Sequence, residues 1–387
     1  MNIVTCIAPV NIAVIKYWGK RDEKLILPLN DSISTTLCTE QMHAKTTIMA
    51  SSEFTEDRIW LNGREESFDN PRLKSCLEGM RRLAQEQGGS GEGSNTWHIH
   101  VCSRNNFPTA AGLASSAAGY ACLAYTLKEL YSVKGDITAI ARQGSGSACR
   151  SLHGGFVRWH KGSAADGTDS VAKQIAPSSH WPELRILILV VTNQKKLTSS
   201  TFGMQRSVET SELLKYRVSH CVPDRVEAMV EAIKNKDFET FAEITMKDSN
   251  QFHAIGLDTY PPAVYMNDVS HTIARVVHRY NCVKGANKVA YTFDAGPNAC
   301  LYMLESEVPA VLGLMKHIFP PRPEHVQYVR GLKTETQSIS QEVLSSLGVE
   351  PQQTGLLMEM ILTKLGEGPE RLTDPKDHLL TEGGLPK

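Results

Sequence analysis

The sequence is short of several things that commonly announce a function. Its nine cysteines are scattered singly, with no C-x-x-C pair, which excludes a zinc ribbon and a disulfide framework and leaves free thiols of a reducing compartment. Neither G-x-x-x-x-G-K-[ST] nor G-x-G-x-x-G occurs in its small-residue loops, so Walker-type and Rossmann nucleotide sites are set aside. The longest aliphatic run, Ile186–Val191, is far below the roughly 20 residues that span a bilayer; it reads as a buried strand. Charge of one sign is lacking too. Lys plus Arg number 41 against 42 Asp plus Glu, a net charge of −1, and nothing points to nucleic acid as a partner. The first residues carry no basic region followed by an apolar stretch, and Gly384-Leu385-Pro386-Lys387 is not a peroxisomal S-K-L address. A cytosolic location away from membranes is expected, with a peroxisomal fraction left open.

What remains is ordinary globular material. The 387 residues are 41% hydrophobic and 21% charged, enough for two or three domains or one large two-lobed unit with a sizeable core. Gly88–Asn95 is a flexible Gly/Ser stretch, after which Trp97–Val101 alternates as a strand. Helical spacing predicts a helix over Leu113–Tyr131, Asp136 caps a short helix ending near Gly144, and 184–191 is a strand. Two helices, Asp224–Lys234 and Asp237–Asn250, follow one another closely. Lys288–Leu304 holds two strand-like runs around the turn Asp294-Ala295-Gly296-Pro297-Asn298. Without regular β-α alternation the class is α+β, with a boundary expected in the polar stretch Asn193–Ser211, giving lobes 1–192 and 193–387.

Four stretches concentrate chemistry-bearing residues. In Asn105–Gly119 small side chains crowd a loop and a helix start, where backbone N–H groups and partial positive charge suit phosphate. Ser115 and Ser116 add hydroxyls for phosphate or a metal ion, although the same composition equally permits tight helix packing. Gly144-Ser145-Gly146-Ser147-Ala148-Cys149-Arg150 is a second such loop, ending in an Arg whose fork suits a carboxylate or phosphate; a flexible linker with a solvated Arg is the alternative. In Ala8–Lys20 an apolar strand runs into Lys16, Tyr17 and Lys20, either a second anion site or a strand end with snorkelling lysines. Asp294 sits on a tight turn, where it either accepts a substrate proton or serves the turn itself.

Together these stretches resemble the GHMP superfamily of small-molecule kinases, and within it the diphosphomevalonate decarboxylase family. Pro9–Lys20, Pro108–Gly119 and Gly144–Arg150 carry the resemblance. Phe293–Ala299, Lys195–Met204 with Thr210, Trp60–Arg64 and Lys247–His253 extend it along the whole chain. The superfamily pattern P-x-x-x-G-L-G-S-S-A is met with Ala114 in place of its second Gly, which is the decarboxylase family's own version.

The resemblance implies an N-terminal lobe similar to the second domain of ribosomal protein S5, a C-terminal ferredoxin-like lobe, and an active site in the cleft between them. It implies ATP- and Mg²⁺-dependent conversion of (R)-5-diphosphomevalonate to isopentenyl diphosphate, ADP, phosphate and carbon dioxide, in isoprenoid and sterol synthesis, by a homodimer. By the same resemblance Asp294 faces the substrate's 3-hydroxyl and Arg150 holds its carboxylate. Tyr17, Trp18, Gly19 and Lys20 form the diphosphate segment. Ser145, Gly146, Ser147, Ala148 and Cys149, with Arg72, Ser200 and Thr201, make other substrate contacts, and Asn11 and Lys16 lie at the cleft. Pro108, Ala110, Ala111, Gly112, Leu113, Ala114, Ser115 and Ser116 hold the ATP phosphates, with Ser116 also near the metal. The adenine site is left open, as is the division of roles between Lys16 and Lys20. A GHMP enzyme that stops at the 3-phosphate is the alternative.

Overall fold

The computed structural model describes residues 1–88, 96–107, 115–191, 198–324 and 327–387, with the side chains at 342 and 343 left aside. The stretches 89–95, 108–114 and 192–197 therefore lie outside the described residues, and with them Pro108, Ala110, Ala111, Gly112, Leu113 and Ala114 of the expected phosphate loop.

Two sheets build the first lobe. One has the order β17 (Glu370–Leu372), β1 (Asn2–Pro9), β6 (His43–Ser51), β9 (His98–Asn105), β7 (Arg58–Leu61) and β8 (Arg64–Glu66), antiparallel except for the β7–β9 pair. The other runs β11 (Ala172–Ala176), β10 (Phe156–Trp159), β5 (Ser32–Thr36) and β2 (Asn11–Ile15), all antiparallel. A short ribbon, β3 (Lys20–Asp22) with β4 (Leu27–Pro28), follows the end of β2.

Helices from the first part of the chain pack on this lobe. α1 (Pro71–Glu86) begins where the Asn70 side chain accepts the Arg72 N–H and Pro71 takes the first turn, where its missing N–H costs nothing. α2 (Ser115–Leu130) lies on β1 and β6, pressing Ala117, Ala118, Ala121 and Ala124 inward so that helix and sheet approach closely. α3 (Thr138–Gly144) is short, and Asp136 does take its Thr138 N–H at 2.7 Å.

The second lobe is a five-stranded sheet of order β13 (Val289–Phe293), β14 (Ala299–Leu304), β12 (Leu184–Val190), β16 (Glu359–Lys364) and β15 (Val329–Gly331). β12 is its middle strand, and six of its seven residues are buried, which is why that run reads as continuously apolar. Helices α4 (Ser200–Thr210), α5 (Glu212–Tyr216), α6 (Val222–Asn235), α7 (Phe238–Asp258), α8 (Asp268–Lys284), α9 (Val308–Ile318) and α10 (Gln341–Leu347) complete the lobe. The paired helices predicted after Asp224 are α6 and α7, joined through Lys236 in the left-handed region and Asp237 as N-cap.

The expected division at 192/193 does not coincide with a division between sheets. β12 precedes it yet pairs with β14 and β16, and β17 returns from the far end of the chain to β1. The lobes share one apolar core, in which Phe156 meets Phe241 and the Thr35 hydroxyl reaches Tyr302 at 2.6 Å. No helix among the described residues is long and apolar enough to cross a membrane. The thiols are free, seven of nine buried.

Candidate active site

The end of β2 and the turn between β13 and β14 meet where the lobes join. Lys16, only 2% exposed, directs Nζ to Asp294 Oδ1 at 2.5 Å and to the Ala13 carbonyl at 2.8 Å. Asp294 keeps 24% of its side chain accessible. One oxygen of the carboxylate is thus engaged with a buried cation, while the group still faces open space. This turn does more than reverse the chain.

Arg150 lies in a tight 3₁₀ turn, Gly146–Leu152, packed between α2, α3 and β2. Its side chain is buried at 3% exposure, with Nη1 donating to Ser32 Oγ at 2.6 Å and Nε to Asn11 Oδ1 at 3.2 Å. Among the described residues no carboxylate oxygen comes within salt-bridge distance of it. Burial weakens the guanidinium's hold on its proton, an effect the nearby Asp294 charge partly offsets. A desolvated cation whose neighbours are neutral hydroxyl and amide groups is poised for an anion. The linker alternative for this stretch is excluded.

Asn11 joins the two pieces. Its amide nitrogen donates to the Ser147 carbonyl at 3.0 Å and Ser151 Oγ at 2.8 Å. The Tyr17 ring packs 4.7 Å from that of Trp159, tilted by 60°, and its hydroxyl is buried without a partner among the described residues. Burial pushes that phenol's pKa up, with Glu23 and Cys149 adding to the shift. Gly146 permits the approach, since a Cβ there would stand 2.9 Å from Tyr17 Cε1. Gly19 turns the chain at φ +86°, and a Cβ would meet Leu29 Cδ1 at 2.7 Å.

Other expected contacts are placed less uniformly. The Trp18 side chain enters a small core with Phe252 and Tyr265 and donates to Ser207 Oγ at 2.9 Å, so it fastens its segment to the second lobe. Lys20 is buried and pairs with Glu23 at 2.6 Å. Ala148 and Cys149 are also buried; the thiol donates to the Gly146 carbonyl, and burial raises its pKa to about 12. Arg72 Nη2 reaches Thr201 Oγ1 at 3.3 Å, beside Ser200 at the start of α4. Ser116 is exposed on the first turn of α2, with its hydroxyl 3.4 Å from that of Ser145.

A cavity of about 310 Å³ opens beside that first turn, lined in part by Ser115, Ser116, Gly119, Tyr120, Asn62 and Ser103. The sequence left it unread because its lining comes largely from strands β7 and β9 and helix α2, which lie far apart along the chain. Ser32 was missed for the same reason. Among the described residues there is no group of three or more His, Cys, Asp and Glu side chains arranged to hold a metal ion.

Comparison with known proteins identifies the family. Residues 8–172 match the family described as "Diphosphomevalonate decarboxylase-like N-terminal domain", and residues 186–372 match "Mevalonate 5-diphosphate decarboxylase C-terminal domain". Diphosphomevalonate decarboxylase of Rattus norvegicus is 55% identical over 390 residues, covering 100% of this chain and 97% of the relative. The solved mevalonate diphosphate decarboxylase from Trypanosoma brucei superposes with a TM-score of 0.86 at 38% identity, covering 98% of this chain and 100% of that one. A structure described as "MDDEF in complex with MVAPP, AMPPCP and Magnesium" gives 0.74 at 31% identity, covering 96% and 100%.

Proposed function

The chain belongs to the diphosphomevalonate decarboxylase family and has its two-lobed GHMP-kinase fold, and from that premise we propose how its residues carry out ATP-dependent decarboxylation of (R)-5-diphosphomevalonate. The observation that carries the reading is the pairing of two features at one junction. A buried Arg150, without a carboxylate partner among the described residues, feels the charge of an accessible Asp294 held by Lys16.

Losing carbon dioxide leaves an electron pair that needs a sink, and this substrate has no keto group β to its carboxylate. The sink is the β-carbon, once its tertiary hydroxyl becomes a leaving group. Phosphoryl transfer from ATP to that oxygen makes it one. Departure of phosphate leaves positive character at carbon 3, and the C–C bond to the carboxylate supplies the electrons of the new alkene as carbon dioxide leaves. The protein's work is therefore positional and electrostatic.

Asp294 orients or deprotonates the tertiary hydroxyl, a role typically worth about 10²–10⁴-fold. Arg150 holds the carboxylate so that its C–C bond aligns with the breaking C–O bond. Lys16 and Lys20, with Tyr17, Gly19 and the Ser145–Cys149 turn, balance and seat the diphosphate or the departing phosphate. Arg72, Ser200 and Thr201 close the site from the α4 side. Trp18 acts through packing, and Asn11 by aiming Arg150.

The nucleoside end of ATP fits the cavity beside α2, where a Gly119 Cβ would point into open space. Its phosphates then lie at the helix start with Ser115 and Ser116, where a helix N-terminus favours anions. The facing Ser116 and Ser145 hydroxyls suit a hard cation that prefers oxygen and keeps phosphate ligands. Mg²⁺, when bound, supplies charge neutralisation to the transferring phosphoryl group. On the resemblance of sequence, the enzyme acts as a cytosolic homodimer in isoprenoid and sterol synthesis.

Purified protein with ATP, Mg²⁺ and diphosphomevalonate is expected to release ADP, phosphate and carbon dioxide in equal amounts. ADP without carbon dioxide would mean that the chain stops at the 3-phosphate.

A further inference from the structure

Lys16 is the first residue beyond β2, so its main-chain groups fall outside the β2–β5 ladder. They are held by side chains from elsewhere. The Lys16 N–H donates to Asp248 Oδ1 at 2.8 Å, and its carbonyl accepts from Arg217 Nη2 and Asn30 Nδ2, each at 3.1 Å. Asp248 and Arg217 form an ion pair at 2.7 Å with both side chains at 0% exposure. Arg225 and Gln251 complete the network, and Arg217 opens a π-helical turn, Arg217–Cys221. Such turns recur at functional sites.

The other half of the Lys16–Asp294 contact is held from the same helix. Phe293 precedes Asp294 and ends β13, an edge strand, so its outward N–H and C=O lack a sheet partner. Its N–H donates to Ser249 Oγ at 3.0 Å, and His253 Nε2 lies 3.3 Å from its carbonyl. Burial, with the Lys16 charge second, lowers the His253 pKa to about 4. The ring is therefore neutral near pH 7 and donates through Nε2–H. Two turns of α7 thus grip the main chain on both sides of one ion pair.

We propose that Asp248 with Arg217, and Ser249, are positioning residues for the reaction: α7 fixes the separation and angle of Lys16 and Asp294 across the lobe junction. Stability alone accounts poorly for a fully buried ion pair here, because well-packed apolar residues often serve a fold as well. What apolar residues cannot do is hold the Lys16 peptide. The inference rests on the reading of Lys16 and Asp294 as site residues.

The test compares kcat, KM and melting temperature for Arg217→Met/Asp248→Leu and Ser249→Ala, each with and without Lys16→Met. The double replacement removes both fully buried charges together and leaves Arg225, 23% exposed, with Gln251 as its partner at 2.7 Å. We expect it to melt near the parent and to keep both KM values within about twofold. Its kcat should fall on the order of 10- to 100-fold, as displacement by about 1 Å does. Ser249→Ala, which removes one hydroxyl and no charge, should lower kcat in the same direction and decides the matter if the double variant fails to fold. On the Lys16→Met background the double replacement should cost no more than about twofold further, because the ammonium group it positions is gone. A folded double variant or Ser249→Ala enzyme with parental kcat overturns the inference. So does a loss from the double replacement that multiplies undiminished onto Lys16→Met. If Lys16→Met alone turns over like the parent, the reading of the site falls first, and that outcome is distinct from the others.

Discussion

Arg150 Nε donates to Asn11 Oδ1 at 3.2 Å, and the same asparagine's amide nitrogen grips the turn that carries the arginine. One neutral side chain therefore aims a buried cation without neutralising it. Replacing that neutral partner with an acid should be worse than removing it. Asn11→Asp would put a carboxylate on Arg150 and lose both amide donors, so we expect a steep loss of activity in a protein that still folds. Steady-state kinetics of Asn11→Asp beside Asn11→Ala, with melting curves for each, check the ordering.

Arg150 itself can be graded. A charge-assisted hydrogen bond contributes roughly 1.5–3 kcal/mol, or about 10- to 150-fold in rate if it is made only in the transition state. Arg150→Lys keeps the charge and loses the fork, so it should be impaired; Arg150→Gln should be worse. Equal activity of Arg150→Lys and the parent would remove the bidentate role.

The cavity beside α2 offers a clean steric test. Gly119 lines it, and a Cβ there meets nothing within 4 Å. Glycine inside a helix costs about 1 kcal/mol relative to alanine, so Gly119→Leu should not lower the melting temperature. It should raise KM for ATP several-fold while leaving KM for diphosphomevalonate near its original value. Unchanged nucleotide affinity would place the nucleoside elsewhere.

Acid should loosen the α7 grip. The His253 pKa is lowered from 6.5 to about 4 in the folded protein, chiefly by burial and next by Lys16. The unfolded chain binds the extra proton first, so the stabilisation is complete above about pH 6.5 and is lost as pH falls toward 4. The slope from this group is at most about 1.4 kcal/mol per pH unit. Melting curves across that window should flatten in His253→Gln relative to the parent.

Legibility from sequence followed locality. β12, the α6–α7 pair and the β13–β14 hairpin were each readable because their apolar spacing, caps and turn residues are contiguous. Arg150 and Asp294 were readable as candidates for the same reason, one closing a short run of small residues and the other opening a turn. Ser32, Asp248 and Arg217 were not, because they act through partners 118, 232 and 201 residues away. Trp18 shows the converse: its motif was evident, yet its side chain turns into the core with Ser207. A motif names residues, and the fold decides which atoms of them face the substrate.

The division of labour between Asp294 and Arg150 is the centre of this account, and supplying the 3-phosphorylated intermediate directly tests it. Asp294→Asn should bind both substrates yet form little ADP, and should decarboxylate the supplied intermediate substantially faster than it converts diphosphomevalonate. Arg150→Gln should gain little from the same bypass, because alignment of the carboxylate is still missing. If both variants respond alike to the intermediate, the assignment of one residue to each step is contradicted, and the two must act on a single concerted event.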